Sequence, residues 1–226
     1  MKGSKEPPTP IDVRRAGMDL LARREHSRLE LRRKLGAAVV AVHRNGERVD
    51  ETSEARPESA RAERRLAAER MLAEWCTGRQ TTAVVLRVPG IYGPGRLGTD
   101  NIRAGMPVLD EKDANPGNRI HVDDLAACCI AALSPGVPDG VYNVGDGDHR
   151  SGTWFTNEVA RQAGLPPPPT ISLAEAKKTF SPMRLSFLRE SRVVDTKKMR
   201  EVLGVLPKYA DAADGIAAAL AEERNQ

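Results

Sequence analysis

Residues 81–96 have the sequence TTAVVLRVPGIYGPGR, and this stretch decides the fold class. From residue 82 to residue 88 the side chains are almost all β-branched or aliphatic, which indicates a parallel strand buried on both faces. Pro89 and Gly90 then end the strand and begin a loop. Ligands of open α/β sheets bind beyond the carboxyl ends of the strands, so we expect the loop from Pro89 to Tyr92 to border a binding site.

Helices and strands alternate on both sides of this strand. The predicted elements are a helix over 57–76, a helix over 123–133, a strand over 140–144, and helices over 152–164, 173–180, 196–203 and 211–223. We expect Ser151 and Asp195 to cap two of the later helices, and we expect the first helix to have a buried stripe of Ala62, Leu66, Leu72 and Trp75. The alternation predicts an α/β protein with a partial Rossmann-like parallel sheet and a small, mostly helical C-terminal part.

Composition excludes several classes of protein. No apolar run approaches the roughly 18 residues of a membrane span, and the N-terminus MKGSKEPPTP lacks the apolar core of a signal peptide. We therefore expect a cytoplasmic protein that does not bind membranes. The three cysteines, Cys76, Cys128 and Cys129, have neither the spacing nor the nearby histidines of a metal site, so we interpret them as buried thiols.

The charges are distributed unevenly along the chain. Residues 1–35 carry ten Lys or Arg against five Asp or Glu, whereas residues 36–226 carry 25 against 26. We therefore predict disorder over residues 1–10, a basic helical hairpin over 11–36 and an α/β part over 37–226. In that part, residues 37–42, AAVVAV, are typical of the end of a strand, and we expect the stable unit to begin near Val49.

The hairpin contains the string RRAGMDLLARREHSRLELRRKL, residues 14–35. This string resembles the start of RecX, the bacterial regulator of the RecA recombinase, and implies a contact with RecA or nucleic acid through residues 12–35. Because no aromatic residue precedes Trp75, the hairpin surface could contact the phosphates of a nucleic acid but could not stack on its bases. A solvated basic hairpin without this role is the open alternative.

Four later segments resemble one family, in the order in which that family has them. These segments are RVPGIYGPGR (87–96), IHVDDL (120–125), VYNVG (141–145) and VVDTKKMREVLG (193–204). They are similar to the carboxyl half of the extended short-chain dehydrogenases/reductases, the NAD-dependent epimerase/dehydratase family. The resemblance implies a Rossmann-like sheet followed by a small C-terminal domain of the substrate-binding type.

The resemblance also implies a cofactor and a substrate. The cofactor would be NAD or NADP, and the cofactor-binding residues would be Pro89, Gly90, Ile91 and Tyr92. The substrate would be a nucleotide sugar or a related small molecule, in a cleft that includes Arg96, His121 and Asp123. For the segment around His121 a second interpretation stays open, in which Asp123 caps the following helix and His121 packs over that helix.

The chain departs from the family at two places. The family begins with a glycine-rich turn that binds the pyrophosphate of the cofactor, and no such turn precedes residue 49. The Tyr and Lys of the family's proton relay align with Arg61 and Arg65, and an arginine cannot act as a general acid or base because it stays protonated. These two arginines could bind an anion or could simply lie on the exposed side of the helix.

Two functional hypotheses follow. The first is an epimerase/dehydratase-like protein that is truncated and catalytically impaired, so whether it is an enzyme stays undecided. The alternative is a RecX-like regulatory protein that modulates RecA and DNA repair. Because the strand over 82–88 is apolar on both faces and little of the preceding chain could cover it, we also expect an exposed apolar surface and self-association.

Overall fold

The structure is a computed structural model that describes residues 46–57, 60–79, 82–189 and 192–225. The predicted disordered segment over 1–10, the basic hairpin over 11–36 and the strand end over 37–42 lie outside the described residues. Those three predictions, and the resemblance to RecX, therefore stay predictions. In the described part, no helix is both long enough and apolar enough to span a membrane.

The described residues form eight short strands and eight α-helices. The strands are β1 Glu47–Val49, β2 Val84–Arg87, β3 Gly90–Tyr92, β4 Val108–Leu109, β5 Arg119–His121, β6 Gly140–Asn143, β7 Thr170–Ile171 and β8 Arg192–Val194. The helices are α1 Ala60–Cys76, α2 Thr99–Arg103, α3 Val122–Ala132, α4 Gly152–Ala163, α5 Leu173–Thr179, α6 Pro182–Arg189, α7 Lys197–Val202 and α8 Ala212–Glu223.

All of the strand pairs in the described part are parallel: β1 with β8, β2 with β6, β3 with β5, and β4 with β7. The register of the third pair places Tyr92 opposite His121, and the register of the second places Arg87 opposite Asn143. Parallel pairs joined through helices confirm the predicted α/β class and a Rossmann-like arrangement. The carboxyl ends of β3 and β5 therefore lie side by side.

Two apolar clusters stabilise the described part. The first lies around β2, β5 and β6 and consists of Leu86, Val88, Ile120, Leu125, Cys128, Tyr142, Val144, Met199, Leu203 and Val205. The second joins the end of β3 to the helices α4 and α8 and consists of Tyr92, Leu97, Ile102, Val159, Ala160, Ala212, Ile216, Ala219 and Leu220. Tyr92 thus belongs to the core as well as to the end of a strand.

Several predicted boundaries are wrong by a whole short element. The loop expected after Pro89 is strand β3, and the segment around Arg119, expected to open a helix, is strand β5 followed by α3. Thr196 rather than Asp195 is the N-cap residue of α7, although Asp195 Oδ1 accepts a hydrogen bond from the Lys197 amide at 2.7 Å. The two strands form because they pair with one another across about 30 residues of sequence.

Helix α1 buries Leu66 of its predicted stripe but leaves Leu72 and Trp75 exposed. Trp75 is 54% exposed and Met71 is 68% exposed, whereas Leu66 and Glu69 are buried. The Glu69 carboxylate is buried because it forms an ion pair with Arg87 of β2, at 2.9 Å. The helix therefore contacts β2 through a partly charged face and leaves large apolar side chains in solvent. These side chains lie on a helix, so the exposed apolar surface expected at the strand over 82–88 stays a prediction. Self-association through this surface stays a prediction.

Candidate functional site

Tyr92 and His121 form the centre of the candidate site at the carboxyl ends of β3 and β5. Their ring centroids lie 5.2 Å apart with the rings nearly perpendicular, and both side chains are almost fully buried. Phe155 of α4 packs edge-on against Tyr92 at 5.3 Å, and Tyr209 packs against His121 at 4.1 Å. The two predicted site residues are therefore together, inside an aromatic cluster.

His121 is the N-cap residue of α3. Its Nδ1 accepts a hydrogen bond from the backbone amide of Asp123 at 3.2 Å, so the neutral ring carries its proton on Nε2. The Asp123 carboxylate lies 3.7 Å from the same Nδ1 and is only partly exposed. The interpretation in which Asp123 caps the helix is therefore wrong, because the histidine, one residue before the helix, performs that role.

Asp124 positions the loop that covers His121. Its two carboxylate oxygens accept hydrogen bonds from the backbone amides of Lys208 at 2.7 Å and Tyr209 at 3.1 Å. Charge-assisted bonds to two successive amides fix the direction of this loop, and the Tyr209 ring consequently lies over His121. Asp124 is buried and acts on the site through the loop.

A buried charge cluster lies beside the aromatic cluster. The Arg119 guanidinium, with 7% of its side chain exposed, donates to Asp148 Oδ1 at 3.3 Å, to the Ser151 carbonyl at 3.2 Å and to the Arg150 carbonyl. Arg119 also lies over the Phe155 ring, 5.0 Å from its centroid. These contacts join β5 to the loop between β6 and α4, and they engage both terminal nitrogens of the arginine.

Burial and hydrogen bonding act differently on the ionisable groups of the site. Burial would raise the pKa of Asp148, but hydrogen bonds from Arg150 and from the Ala212 amide outweigh it and lower the pKa to about 2. Burial raises the pKa of Asp146 to about 7, against a hydrogen bond from the Asp148 amide. Burial also raises the pKa of Tyr92 above its ordinary value, and the neighbouring Asp146 adds to this.

The remaining predicted site residues are distributed around this centre. Pro89 and Ile91 are half-buried, and Gly90 is exposed and donates its amide to the Asn118 carbonyl at 3.3 Å. Arg96 is exposed on the loop after β3, and its guanidinium makes no hydrogen bond or ion pair with the part of the chain that the structure describes. The roles of these residues in binding a cofactor or substrate stay predictions.

Arg61 and Arg65, which align with the family's Tyr and Lys, lie in the first turns of α1. Arg65 is half-buried, which does not match a fully solvated position, and the side chain of Arg61 is outside the described residues. Whether they bind an anion therefore stays open.

Sequence reasoning missed Arg119, Asp146 and Asp148. The available signal was the alternation of Gly and Asp in GDGD, residues 145–148, directly after a buried strand. Polar residues that follow a central parallel strand lie at the ligand edge of the sheet. That signal could have added Asp146 and Asp148 to the candidate residues. It could not have added Arg119, which donates a hydrogen bond to Asp148 but not to Asp146.

We tested whether the described residues fit the pyrophosphate of NAD, which requires a helix N-terminus with free amides after a glycine-rich turn. Three of the helices have at least eleven residues and a described N-terminus: α3 begins with the carboxylates of Asp123 and Asp124, and α4 and α8 each have one first-turn amide bonded to the capping Ser151 or Asp211. Helix α2 follows the glycines of the 93–98 loop but has five residues. These four helix ends do not fit the pyrophosphate group. They also contain no group of three His, Cys, Asp or Glu residues placed to hold a metal ion.

Comparison with known proteins shows likeness in structure. No protein-family model matches the chain, and no curated protein matches it. A functionally unknown conserved protein from Silicibacter pomeroyi is 29% identical, with a TM-score of 0.72 over 85% of this chain and 69% of that one. UDP-glucose 4-epimerase from Thermus thermophilus, solved in complex with NAD, is 24% identical, with a TM-score of 0.65 over 92% of this chain and 68% of that one.

MoeE5, solved with UDP-glucose and NAD, is 21% identical, with a TM-score of 0.65 over 84% of this chain. This chain spans 63% of the length of MoeE5 and 62% of UDP-glucose 4-epimerase from Thermotoga maritima. At identities of this size the likeness shows the fold. The chain therefore has, over about two thirds of their length, the fold of the UDP-sugar epimerases and their relatives of the NAD-dependent epimerase/dehydratase type.

Proposed function

We propose that this protein is an epimerase/dehydratase-like protein of the extended short-chain dehydrogenase/reductase type that binds a nucleotide sugar, or a related small molecule, and is impaired in turnover. The observation that carries the proposal is the Tyr92–His121 pair, held at the carboxyl ends of two parallel strands in a fold shared with UDP-sugar epimerases. In open α/β sheets that edge is where ligands bind.

The chemistry of the edge favours binding over proton transfer. Burial raises the pKa of Tyr92, so its phenol stays protonated at neutral pH and cannot serve as a base. His121 is 1% exposed and its Nδ1 accepts the Asp123 amide. These groups can shape and orient a ligand, and α1 carries arginines where the family has its proton relay. We therefore infer binding without efficient turnover.

Arg96 supplies the charge that an anionic ligand would require. It is exposed on the loop that follows β3, whereas Arg119 and Arg150 both form ion pairs with Asp148. An arginine that need not break existing interactions is a favourable partner for a diphosphate. Its planar guanidinium can donate two parallel hydrogen bonds to phosphate oxygens. We infer from the likeness to relatives solved with NAD that NAD or NADP would lie beside Pro89, Gly90, Ile91 and Tyr92.

The test is calorimetric titration of the full chain with UDP-glucose, UDP and NAD. We expect UDP-glucose and UDP to bind, and Arg96→Ala to weaken both about tenfold, since a charge-assisted hydrogen bond contributes about 1.5 kcal/mol. Arg103→Ala is the matched control, because Arg103 is also exposed but is paired with Asp100 at 3.0 Å. Absence of heat with either nucleotide, or equal effects of the two substitutions, would contradict the proposal.

A second measurement separates binding from turnover. Incubation of the protein with UDP-glucose and NAD, followed by chromatography of the sugars, should give no epimerised product above background. Rapid conversion by the wild type would contradict impaired turnover, and conversion that survives Tyr92→Phe and His121→Ala would place the reacting groups outside this pair.

A further inference from the structure

Two aspartates of one loop have opposite surroundings. Asp146 and Asp148 lie between β6 and α4, and they are 5% and 8% exposed. Asp148 accepts hydrogen bonds from Arg119, Arg150 and the Ala212 amide. Asp146 accepts one, from the Asp148 amide to Oδ1 at 2.9 Å, and its Oδ2 is buried without a partner among the described residues.

The groups that face Asp146 do not compensate a negative charge. Arg119 of β5 is close enough to act on Asp146 electrostatically, but its hydrogen bonds go to Asp148 and to backbone carbonyls. Asp124 of α3 and Asp148 of the same loop are like-charged neighbours. Tyr92 of β3 supplies a neutral phenol, whose oxygen also lacks a partner in the described part of the chain. An ionised Asp146 would be a buried anion without its own counter-ion.

We propose that Asp146 keeps its proton in the folded protein, and that loss of this proton loosens the loop between β6 and α4. The Asp146 amide donates to the Arg119 carbonyl at 2.9 Å, and the Gly117 amide donates to the His149 carbonyl at 3.0 Å. Both bonds attach the loop to the β5 side of the sheet. The released proton goes to solvent, and water must then reach Oδ2, which requires the loop to separate from β5.

The direction of the linkage follows from the surroundings. Burial raises the pKa of Asp146 from 3.8 to about 7, so the folded state binds this proton more tightly than the unfolded chain does. The stability that the bound proton supplies is complete below about pH 4 and is lost as pH rises to about 7. Over that range the folding equilibrium constant falls by up to about tenfold per pH unit. The loop lies at the carboxyl end of β6, so its order would be greatest on the acid side of neutrality.

The experiment compares the full chain with Asp146→Asn, which imitates the protonated carboxyl in shape and charge. Urea unfolding from pH 4 to pH 8 should show a steep decline in the wild-type folding equilibrium constant and a flat profile in the variant. Asp100→Asn is the matched control, since the Asp100 side chain is 97% exposed, and it should follow the wild type. No nucleotide is needed, so this test is independent of the proposed function.

Equal pH profiles of wild type and Asp146→Asn would overturn the proposal. Carbon-13 titration of the wild-type carboxyl groups provides a second readout if the variant does not fold. A midpoint for Asp146 near neutral pH, with hydrogen-exchange protection of the Asp148 amide falling through the same range, supports the proposal. A midpoint below pH 5, or protection that does not change, contradicts it.

Discussion

Gly215 of α8 allows a close approach of the helix to Tyr92. A Cβ atom added at this glycine would overlap Tyr92 Oη and lie 2.8 Å from Cε2 and 3.0 Å from Cζ. Real Cβ atoms essentially never come so close to another heavy atom. Tyr92 cannot move aside, because its ring is 3% exposed and is packed against Phe155 and His121. We therefore expect Gly215→Ala to strain the junction between β3 and α8.

Two terms of opposite sign decide the size of the effect. Replacing a glycine inside a helix by alanine favours folding by about 1 kcal/mol, from backbone entropy. Inserting a methyl group into a packed core without space costs about 1 to 3 kcal/mol, and this contact involves three ring atoms. Because three atoms of Tyr92 are involved, we expect a steric cost in the upper part of that range, about 2 to 3 kcal/mol, so that the free energy of unfolding falls by about 1 to 2 kcal/mol.

Urea unfolding of the full chain measures this change, and Gly152→Ala is the matched control. Gly152 is the first residue of α4, and a Cβ added there would meet nothing within 4 Å. The control should be as stable as the wild type or slightly more stable. A Gly215→Ala variant of unchanged or higher stability would refute the close approach.

Tyr92→Phe completes a double-mutant cycle. The phenol oxygen is buried without a partner among the described residues, so its removal should raise the free energy of unfolding by about 1 kcal/mol. It also removes the worst overlap with an alanine at position 215. The double variant should therefore lose less stability than the sum of the single changes predicts, by at least about 0.5 kcal/mol. Additive effects would show that the two sites do not touch.

Asn118→Ala should lower the free energy of unfolding by about 2 kcal/mol. The Asn118 side chain donates a hydrogen bond to the Arg192 carbonyl and accepts one from the Val194 amide, each at 2.8 Å, and so attaches β8 to the start of β5. Urea unfolding checks this value, and a loss below about 0.5 kcal/mol would contradict the attachment. Asp148→Asn should reduce the acid sensitivity of the fold: the pKa of Asp148 is lowered to about 2, so its contribution is present above about pH 4 and is lost as pH falls towards 2. Melting temperatures between pH 2 and pH 5 measure the slope, and identical slopes in variant and wild type would contradict it.

Local signals predicted the helix ends that depend on three or four residues. Ser151 was expected to begin α4, and its Oγ accepts the Trp154 amide at 2.9 Å. Gly164 ends the same helix in the left-handed conformation. These features are encoded in one turn of the chain, because the capping group and the amide that it satisfies are neighbours in sequence.

The short strands could not be predicted in this way. Strands β3 and β5 have three residues each, too few to show a period of two, and their stability comes from pairing with one another. Their hydrogen-bonding partners are far apart in sequence, as Gly90 pairs with Arg119. The chain after Pro89 therefore has the composition of a loop and the geometry of a strand.

Burial on α1 was also decided by a distant partner. Leu72 and Trp75 were expected inside and are 36% and 54% exposed, while Glu69 is buried against Arg87. The apolar pattern of a helix indicates which side chains are unfavourable to expose to water. A helix can nevertheless bury only the face that a neighbouring element covers. The face of α1 that is covered is the one that carries Glu69, because Glu69 pairs with Arg87, the single charged residue of β2. The sequence of the helix alone does not reveal this partner.

The three arginines around the candidate site illustrate why residue type alone does not identify a ligand contact. Arg119 is buried and directed to Asp148 and backbone carbonyls, and Arg150 stacks 3.5 Å from the Trp154 centroid while pairing with Asp148 and Asp211. Binding an anion through either would first break interactions that a buried charge requires. Arg96 has no such cost, because its guanidinium is exposed and uncommitted within the described residues. Any phosphate-bearing ligand at this edge should therefore depend on Arg96 before it depends on the two arginines nearer to the buried core.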